Sequence, residues 1–279
     1  MKKTFKITFI TPCFCRGADC SDKGAPEIRP ASIRGQLRWW FRALGGTPDE
    51  ERDVFGGIHE KEPKASKVIV RVRMDAKPGD FTCPTLPHKR DRDAKKMSFR
   101  PGTSFALLLS TRLGGLDQGR EAAFNRAVKA WLLLGALGLR GTRGGGNFRW
   151  DGQPENPEKF KEEAGAVVKG SRLRYALLDR KASSAEDLRK VVADTLAEGA
   201  FKECGKPLGG INPRKTSPLR FRIVQFAGDD FRIVGVWDGR EDVTGNTADH
   251  LRLAIDSLAN GGKEIGKLLW KSELGRQSG

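Results

Sequence analysis

The chain has 279 residues, 38% of them hydrophobic and 31% charged, enough for one large domain or two of ordinary size. Lysine and arginine number 51 against 35 aspartates and glutamates, a formal charge of +16, which favours polyanions, with nucleic acid first and acidic membrane surfaces second. The longest apolar run, around Trp131 to Leu139, is broken by glycines and too short to span a bilayer.

The first residues, "KTFKITFI", alternate, with Phe5, Ile7 and Phe9 on one face and Lys6 and Thr8 on the other. That is the pattern of a half-buried strand and not of a secretory signal, so a cytoplasmic location is expected. A loop from Pro12 to Pro30 follows. It holds Cys13, Cys15 and Cys20, three of the five cysteines. Zinc usually takes paired Cys-x2-Cys spacing and a fourth ligand, so ordinary thiols are the simpler reading of this trio, and no disulfide framework is expected from an odd count.

Next comes "EIRPASIRGQLRWWFRALGG", with four arginines and no acidic residue from Ile28 to Pro48. Ser32 is a plausible N-cap for a helix ending near Leu44 at Gly45-Gly46. At 100° per residue, Ile33, Leu37, Trp40 and Leu44 share one face with Phe41 at its margin, and Trp39 points away. Arg34, Arg38 and Arg42 lie four apart beside Gly35. Such like charges repel by a few tenths of a kcal/mol per pair, which an external anion would offset, aided by the helix N-terminus and by the bare backbone at Gly35. The alternative reading is a solvated basic face, with the tryptophans as core.

"SKVIVRVRM" and "GTSFALLLSTR" read as two further strands, joined by a polar stretch, about 76–100, too long for a hairpin turn and suited to a functional loop. Residues 120–137 form a second helix with Phe124, Val128, Trp131, Leu132 and Gly135 on one stripe. It runs into "GLRGTRGGGNFRW", where Gly141, Gly144, Gly145 and Gly146 surround Arg140 and Arg143. This could bring backbone amides to phosphates, or it could be a spacer. It lacks the Lys-Ser/Thr ending of a Walker A loop, and it follows a helix instead of opening one as a dinucleotide fingerprint does.

Strand, helix, strand, strand, helix, strand is the ferredoxin-like or RRM-like plan, so residues 1–150 are expected to form one such module. The polar segment 151–170 reads as a linker. Residues 171–279 then repeat the order incompletely: "SRLRYALLD" as a strand, a helix capped by Ser183 with Glu186 and presenting Leu188, Val191, Val192 and Leu196, a hairpin of "LRFRIVQF" and "FRIVGVW" across "AGDD", and a last helix from Thr247 with Leu251, Ile255 and Leu258. The expected class is α+β, built of tandem ferredoxin-like modules.

The stretches "ITPCFCRGAD…PEIRPASIRGQLRWWFRAL" and "GLRGTRGGGNF" resemble the two hallmarks of RAMP proteins, the RNA-binding subunits of CRISPR effector complexes. Among them the chain is most similar to the first subunit of the type III-B (Cmr) complex. The resemblance implies tandem ferredoxin-like folds and a non-catalytic subunit that helps cap the end of the complex holding the 3′ part of the guide RNA. It implies contacts with guide and target RNA and with neighbouring RAMP subunits; no membrane, small-molecule substrate, metal or cofactor is expected. The RNA-binding residues it implies are Arg16, Ser32, Arg34, Gly35, Arg38 and Arg42, with Arg140, Gly141, Arg143, Gly144 and Gly146 from the glycine-rich loop.

An enzyme would need other residues. Asp19 and Asp22 lie in the loop where backbone RAMP subunits carry a cleaving aspartate, which with a metal ion could cut target RNA. His88, in "PHKRDR", could act as a general acid or base in guide processing, without a second histidine beside it. An RRM-type sequence reader would need aromatic residues on its strands. "SKVIVRVRM" has none and "GTSFALLLSTR" only Phe105, so sequence-tolerant backbone binding fits better.

Overall fold

A computed structural model describes residues 1–17, 24–59, 62–75, 81–87, 95–197, 210–211, 214–215 and 219–239. Thus Asp19, Cys20, Asp22, His88 and the helix expected from Thr247 lie outside the described residues.

The first half begins with β1 (Lys2–Phe9), α1 (Pro30–Ala43) and α2 (Pro48–Phe55). Two short hairpin strands follow, β2 (Gly57–His59) and β3 (Glu62–Lys64), and then β4 (Val68–Met74). Within the stretch expected as a long loop, β5 (Thr82–Pro84) pairs with β6 (Lys95–Met97). β7 (Ser104–Thr111), α3 (Gln118–Leu134) and β8 (Phe148–Trp150) complete a four-stranded antiparallel sheet in the order β4-β7-β1-β8. The strand–helix–strand–strand–helix–strand sequence expected of this half is the one observed, with α2 and the small hairpins added.

Alternation decides what the sheet buries. Ile7 and Phe9 of β1, Phe105, Leu107 and Leu109 of β7, and Phe148 of β8 are buried under α1 and α3. From α1 come Ile33, Leu37, Trp40 and Phe41, the stripe expected from helical spacing. Each large apolar side chain so buried stabilises the fold by roughly 1.5–3 kcal/mol.

Helix α1 starts earlier than expected. Its N-cap is Arg29, with Pro30 as the first helical residue, so Ser32 lies inside the first turn and does not cap. Proline's fixed φ and missing N–H suit that first position. The stop at Gly45-Gly46 is a Schellman turn, with Gly45 N–H donating to the Arg42 carbonyl and Gly46 N–H to that of Phe41. Gly45 has φ +105°, where a side chain would be strained.

The segment expected as a linker is partly helix: α4 (Pro157–Val168), capped by Asn156 and burying Phe160, Ala164, Val167 and Val168. The second half continues with β9 (Leu173–Ala182), α5 (Ala185–Ala197), a two-residue pair β10 (Gly210–Ile211) and β11 (Arg214–Lys215), β12 (Arg220–Gln225) and β13 (Phe231–Asp238). The cap of α5 is Ser184, whose Oγ accepts from Asp187 N–H at 3.4 Å, one residue beyond the expected Ser183. Glu186 instead binds Arg189. The expected hairpin is present, with Gln225 opposite Phe231. Its sheet runs β12-β13-β9, so first, third and second strands lie in the same order as β1, β7 and β4.

Both faces of this second sheet are covered. Leu173, Leu177, Val224 and Val236 join the core that includes α4 and the first half, while Ala176, Phe221, Ile223 and Ile233 pack with Leu188 and Val192 of α5. Among the described residues no helix is long and apolar enough to cross a membrane.

Candidate functional site

The loop after β1, the start of α1 and the beginning of the glycine-rich segment meet around a cleft of about 490 Å³. Phe14, Cys15 and Arg16 form one wall, Arg29, Ser32 and Gln36 another, and Gly138 with Leu139 a third, with Lys96 of β6 at the rim. Short backbone pairings hold these walls. Leu139 N–H donates to the Phe14 carbonyl at 2.9 Å, and Glu27 N–H to that of Cys15 at 3.1 Å. Gly138 is needed for the close approach: its φ is +78°, and a Cβ there would stand 2.7 Å from the Phe14 carbonyl oxygen.

The cleft is electropositive. Arg16, Arg29 and Lys96 line it against one carboxylate, Glu27. The helix adds to this: the first turn of α1 has no acidic residue, and its N-cap offers no side-chain acceptor, so the partial positive charge of the helix start faces the opening. Gln36 is held in place by accepting from Trp131 Nε1 at 3.0 Å. Cys13 and Cys15 are free thiols with sulfurs 3.2 Å apart. Burial, then the neighbouring Cys15, pushes the Cys13 thiol well above its ordinary pKa, so it stays protonated in the core behind the wall. Among the described residues no group of three or more His, Cys, Asp or Glu could hold a metal; Cys20 lies outside them.

The arginine row of α1 divides. Arg34 is exposed, and a Cβ at the neighbouring Gly35 would meet nothing within 4 Å, so both face open space. Arg38 and Arg42 instead have an internal partner. Arg38 Nε lies 2.6 Å from Glu51 Oε1 and Arg42 Nε 3.3 Å from Glu51 Oε2. The repulsion expected to call for an external anion is therefore offset by a carboxylate of α2. That helix owes its position to a capping box: Thr47 Oγ1 accepts from Glu50 N–H, and Glu50 accepts from Thr47 N–H. Trp39 is half-buried, packed edge-on against Trp40, with the Arg220 guanidinium 3.8 Å above its ring.

The glycine-rich loop departs further from expectation. Its amides do not point at an open phosphate site. Arg143 and Gly145 N–H donate to the Arg140 carbonyl, Gly144 N–H to Phe221, and Gly146 N–H to Pro12. Phe221 N–H returns a bond to Thr142. Gly144 and Gly146 are buried, with φ +75° and +59°, and a Cβ on Gly146 would fall 1.7 Å from the Leu137 carbonyl oxygen. The loop clasps the second sheet to the first half. Next to it, Asn147 Oδ1 accepts from Ile223 N–H, and the buried Arg222 donates to the Leu132 and Phe148 carbonyls. Burial lowers the Arg222 pKa to about 9. Arg140 is exposed and Gly141 half-buried. Arg143 is half-buried, and burial followed by the charge of Arg140 lowers its pKa to about 10.

Of the expected residues, the fold brings Arg16 and Ser32 into the cleft, with Arg140 and Gly141 following its Gly138–Leu139 wall in the chain. It sets Arg38 and Arg42 against Glu51, and Gly144 and Gly146 inside the clasp. Arg29, Gln36 and Lys96 were missed. The absence of any acid after Ile28 pointed toward Arg29, but nothing local pointed to Lys96, which arrives from a separate hairpin.

The profile of the RAMP superfamily matches residues 6–149, just over half the chain. The chain is similar to CRISPR system Cmr subunit Cmr1-2 of Pyrococcus furiosus, 29% identical over 184 residues that cover 52% of this chain and 92% of that protein. It is 27% identical to Cmr1-1 of the same organism, over 44% of this chain and only 40% of that one. Its fold is similar to the crystal structure of Cmr1 from Pyrococcus furiosus in its apo form (TM-score 0.56, 18% identity, 85% of this chain and 88% of that one). It is also similar to a chain of the type III-B Cmr-beta complex bound to cognate target RNA (TM-score 0.57, 10% identity, 91% and 98%).

Proposed function

The chain belongs to the RAMP superfamily, and we propose that it is a non-catalytic, RNA-binding subunit of a type III-B CRISPR effector complex. One observation carries the RNA-binding reading: two segments more than a hundred residues apart converge on a single cleft, lined by Arg16, Arg29 and Lys96 at an uncapped helix start. Side chains on three separate elements can hold a phosphate backbone while leaving bases free to pair. Its likeness to a chain of a complex bound to target RNA supports RNA as the polyanion. The repeated strand order supports reading residues 1–150 and 171–279 as two modules. Guide and target RNA and neighbouring RAMP subunits are its partners in this proposal, at the end of the complex that holds the guide 3′ region. Arg34, Gly35, Arg140 and Gly141 extend the phosphate track from the cleft, and the setting is cytoplasmic.

The test is RNA binding by the full chain across a salt series, wild type against Arg29→Gln/Lys96→Gln, with the RNA checked for integrity in Mg²⁺. Loss of two phosphate contacts lowers the slope of log affinity against log salt by about 1.4, and the RNA stays intact. Cleavage abolished by Asp19→Ala, Asp22→Ala or His88→Ala would make the protein a nuclease. An unchanged slope would remove the cleft from the interface.

A further inference from the structure

The four strands of the first sheet, β1, β4, β7 and β8, contain no acidic residue. Their register sorts the basic ones onto one side. Arg149, Thr8 and Ser104 form one row across the sheet; Lys6, Ala106 and Arg73 the next; Thr4, Leu108 and Arg71 the third; Lys2, Ser110 and Ile69 the last. This is the side away from α1 and α3. Lys2, Thr4, Lys6, Arg71, Arg73 and Arg149 are all exposed, and among the described residues none of the five cations takes part in an ion pair. In the other sheet both faces are covered, so open cations here are not a requirement of the strand order.

We propose that this open sheet face is a second polyanion surface, separate from the cleft, that carries an RNA phosphate backbone. The proposal takes from the function above only that RNA is the polyanion. Charge complementarity selects the occupant. A Lys or Arg stands on every row, and hydroxyls from Thr4 and Ser110 lie between them, those of Thr8 and Ser104 being bonded to each other at 2.8 Å, so both charge and hydrogen bonds are available to phosphate oxygens. The face has no aromatic residue. It therefore offers no platform for stacking bases and lacks the aromatic anchors, with lysine depleted, that mark protein-docking surfaces. Its only larger apolar groups, Ile69 and Leu108, are half-buried. The fit is to a backbone bound without regard to sequence.

The experiment uses the full chain with uniform and mixed-sequence RNA oligomers of one length, across a salt series. The variants are Lys6→Gln/Arg71→Gln/Arg73→Gln on the sheet and Arg29→Gln/Lys96→Gln at the cleft. Lys6, Arg29, Arg71 and Arg73 are exposed and Lys96 is half-buried, and circular dichroism checks that each variant folds. The sheet variant is expected to lower the salt slope by about 2 and weaken binding about tenfold or more at low salt, equally for all sequences. If its binding stays within twofold of wild type while the cleft variant weakens, the sheet proposal is overturned and the cleft stands. If only the sheet variant weakens, the sheet proposal stands and the cleft reading falls. No change in either overturns both. Polyglutamate bound as tightly as RNA of equal charge would overturn the assignment to RNA.

Discussion

The two sheets of this protein share a strand order and differ in what covers them. In the first, β1 and β4 alternate, and one face carries lysines and arginines into solvent. In the second, β12 and β13 are buried along almost their whole length, between α5 on one side and the first-half core with α4 on the other. Continuous apolar strands mark a sheet covered on both faces, and alternating ones a sheet with a free face. One plan thus yields a sheet with an open basic face and a closed sheet that holds the molecule together. The glycine-rich loop belongs to the closed one.

That assignment predicts a graded set of effects on stability. Gly146→Ala should be the most damaging, because its Cβ would strike the Leu137 carbonyl in a left-handed, buried position. Strain and overpacking together cost about 4 kcal/mol, read in denaturant unfolding. Arg222→Ala should cost about 3 kcal/mol in the same assay: it removes charge-assisted bonds to two buried carbonyls and leaves a cavity, against which relief of a buried cation is the smaller gain. An unchanged midpoint for either would mean that the clasp does not join the halves.

Smaller effects sharpen the contrast on the open side. Glu51→Gln should destabilise by about 1 kcal/mol, since its two arginine partners are partly exposed. It should also steepen the salt dependence of RNA binding, because it frees Arg38 and Arg42. Unaltered salt dependence would show that those arginines lie off the RNA path. Gly35→Ala, with open space around the added methyl, should stabilise α1 by about 0.5–1 kcal/mol and yet weaken RNA binding if a backbone passes there. Stabilisation with unchanged affinity would remove Gly35 from the interface. The two glycine variants therefore move stability in opposite directions.

Local pattern was enough for the buried face of α1, since Ile33, Leu37 and Trp40 sit where helical spacing places them. It was enough for the β12–β13 hairpin and for the order of elements along the first half. It misled where a polar surface hid an ordered element. The helix in "TPDEERDVF" was not anticipated, although Thr47 and Glu50 spell a capping box. Pro154 and Pro157 suggested a linker, although Pro157 follows the Asn156 cap as a first helical residue. The site was half legible for a different reason. Of the motif residues, Arg16 and Ser32 line the cleft while Gly144 and Gly146 sit in the clasp, and the partners that decide this lie far away in sequence. Glu51 holds Arg38 from a helix that was not anticipated, and Pro12 and Phe221 take the amides of Gly146 and Gly144.

The most direct test is photocrosslinking of the full chain to 4-thiouridine-substituted RNA, with the attachment sites read by mass spectrometry. Crosslinks at the cleft wall, on Phe14, Cys15 or Leu139, are the predicted result. Crosslinks confined to residues 171–239, with the cleft unmarked, would contradict the account.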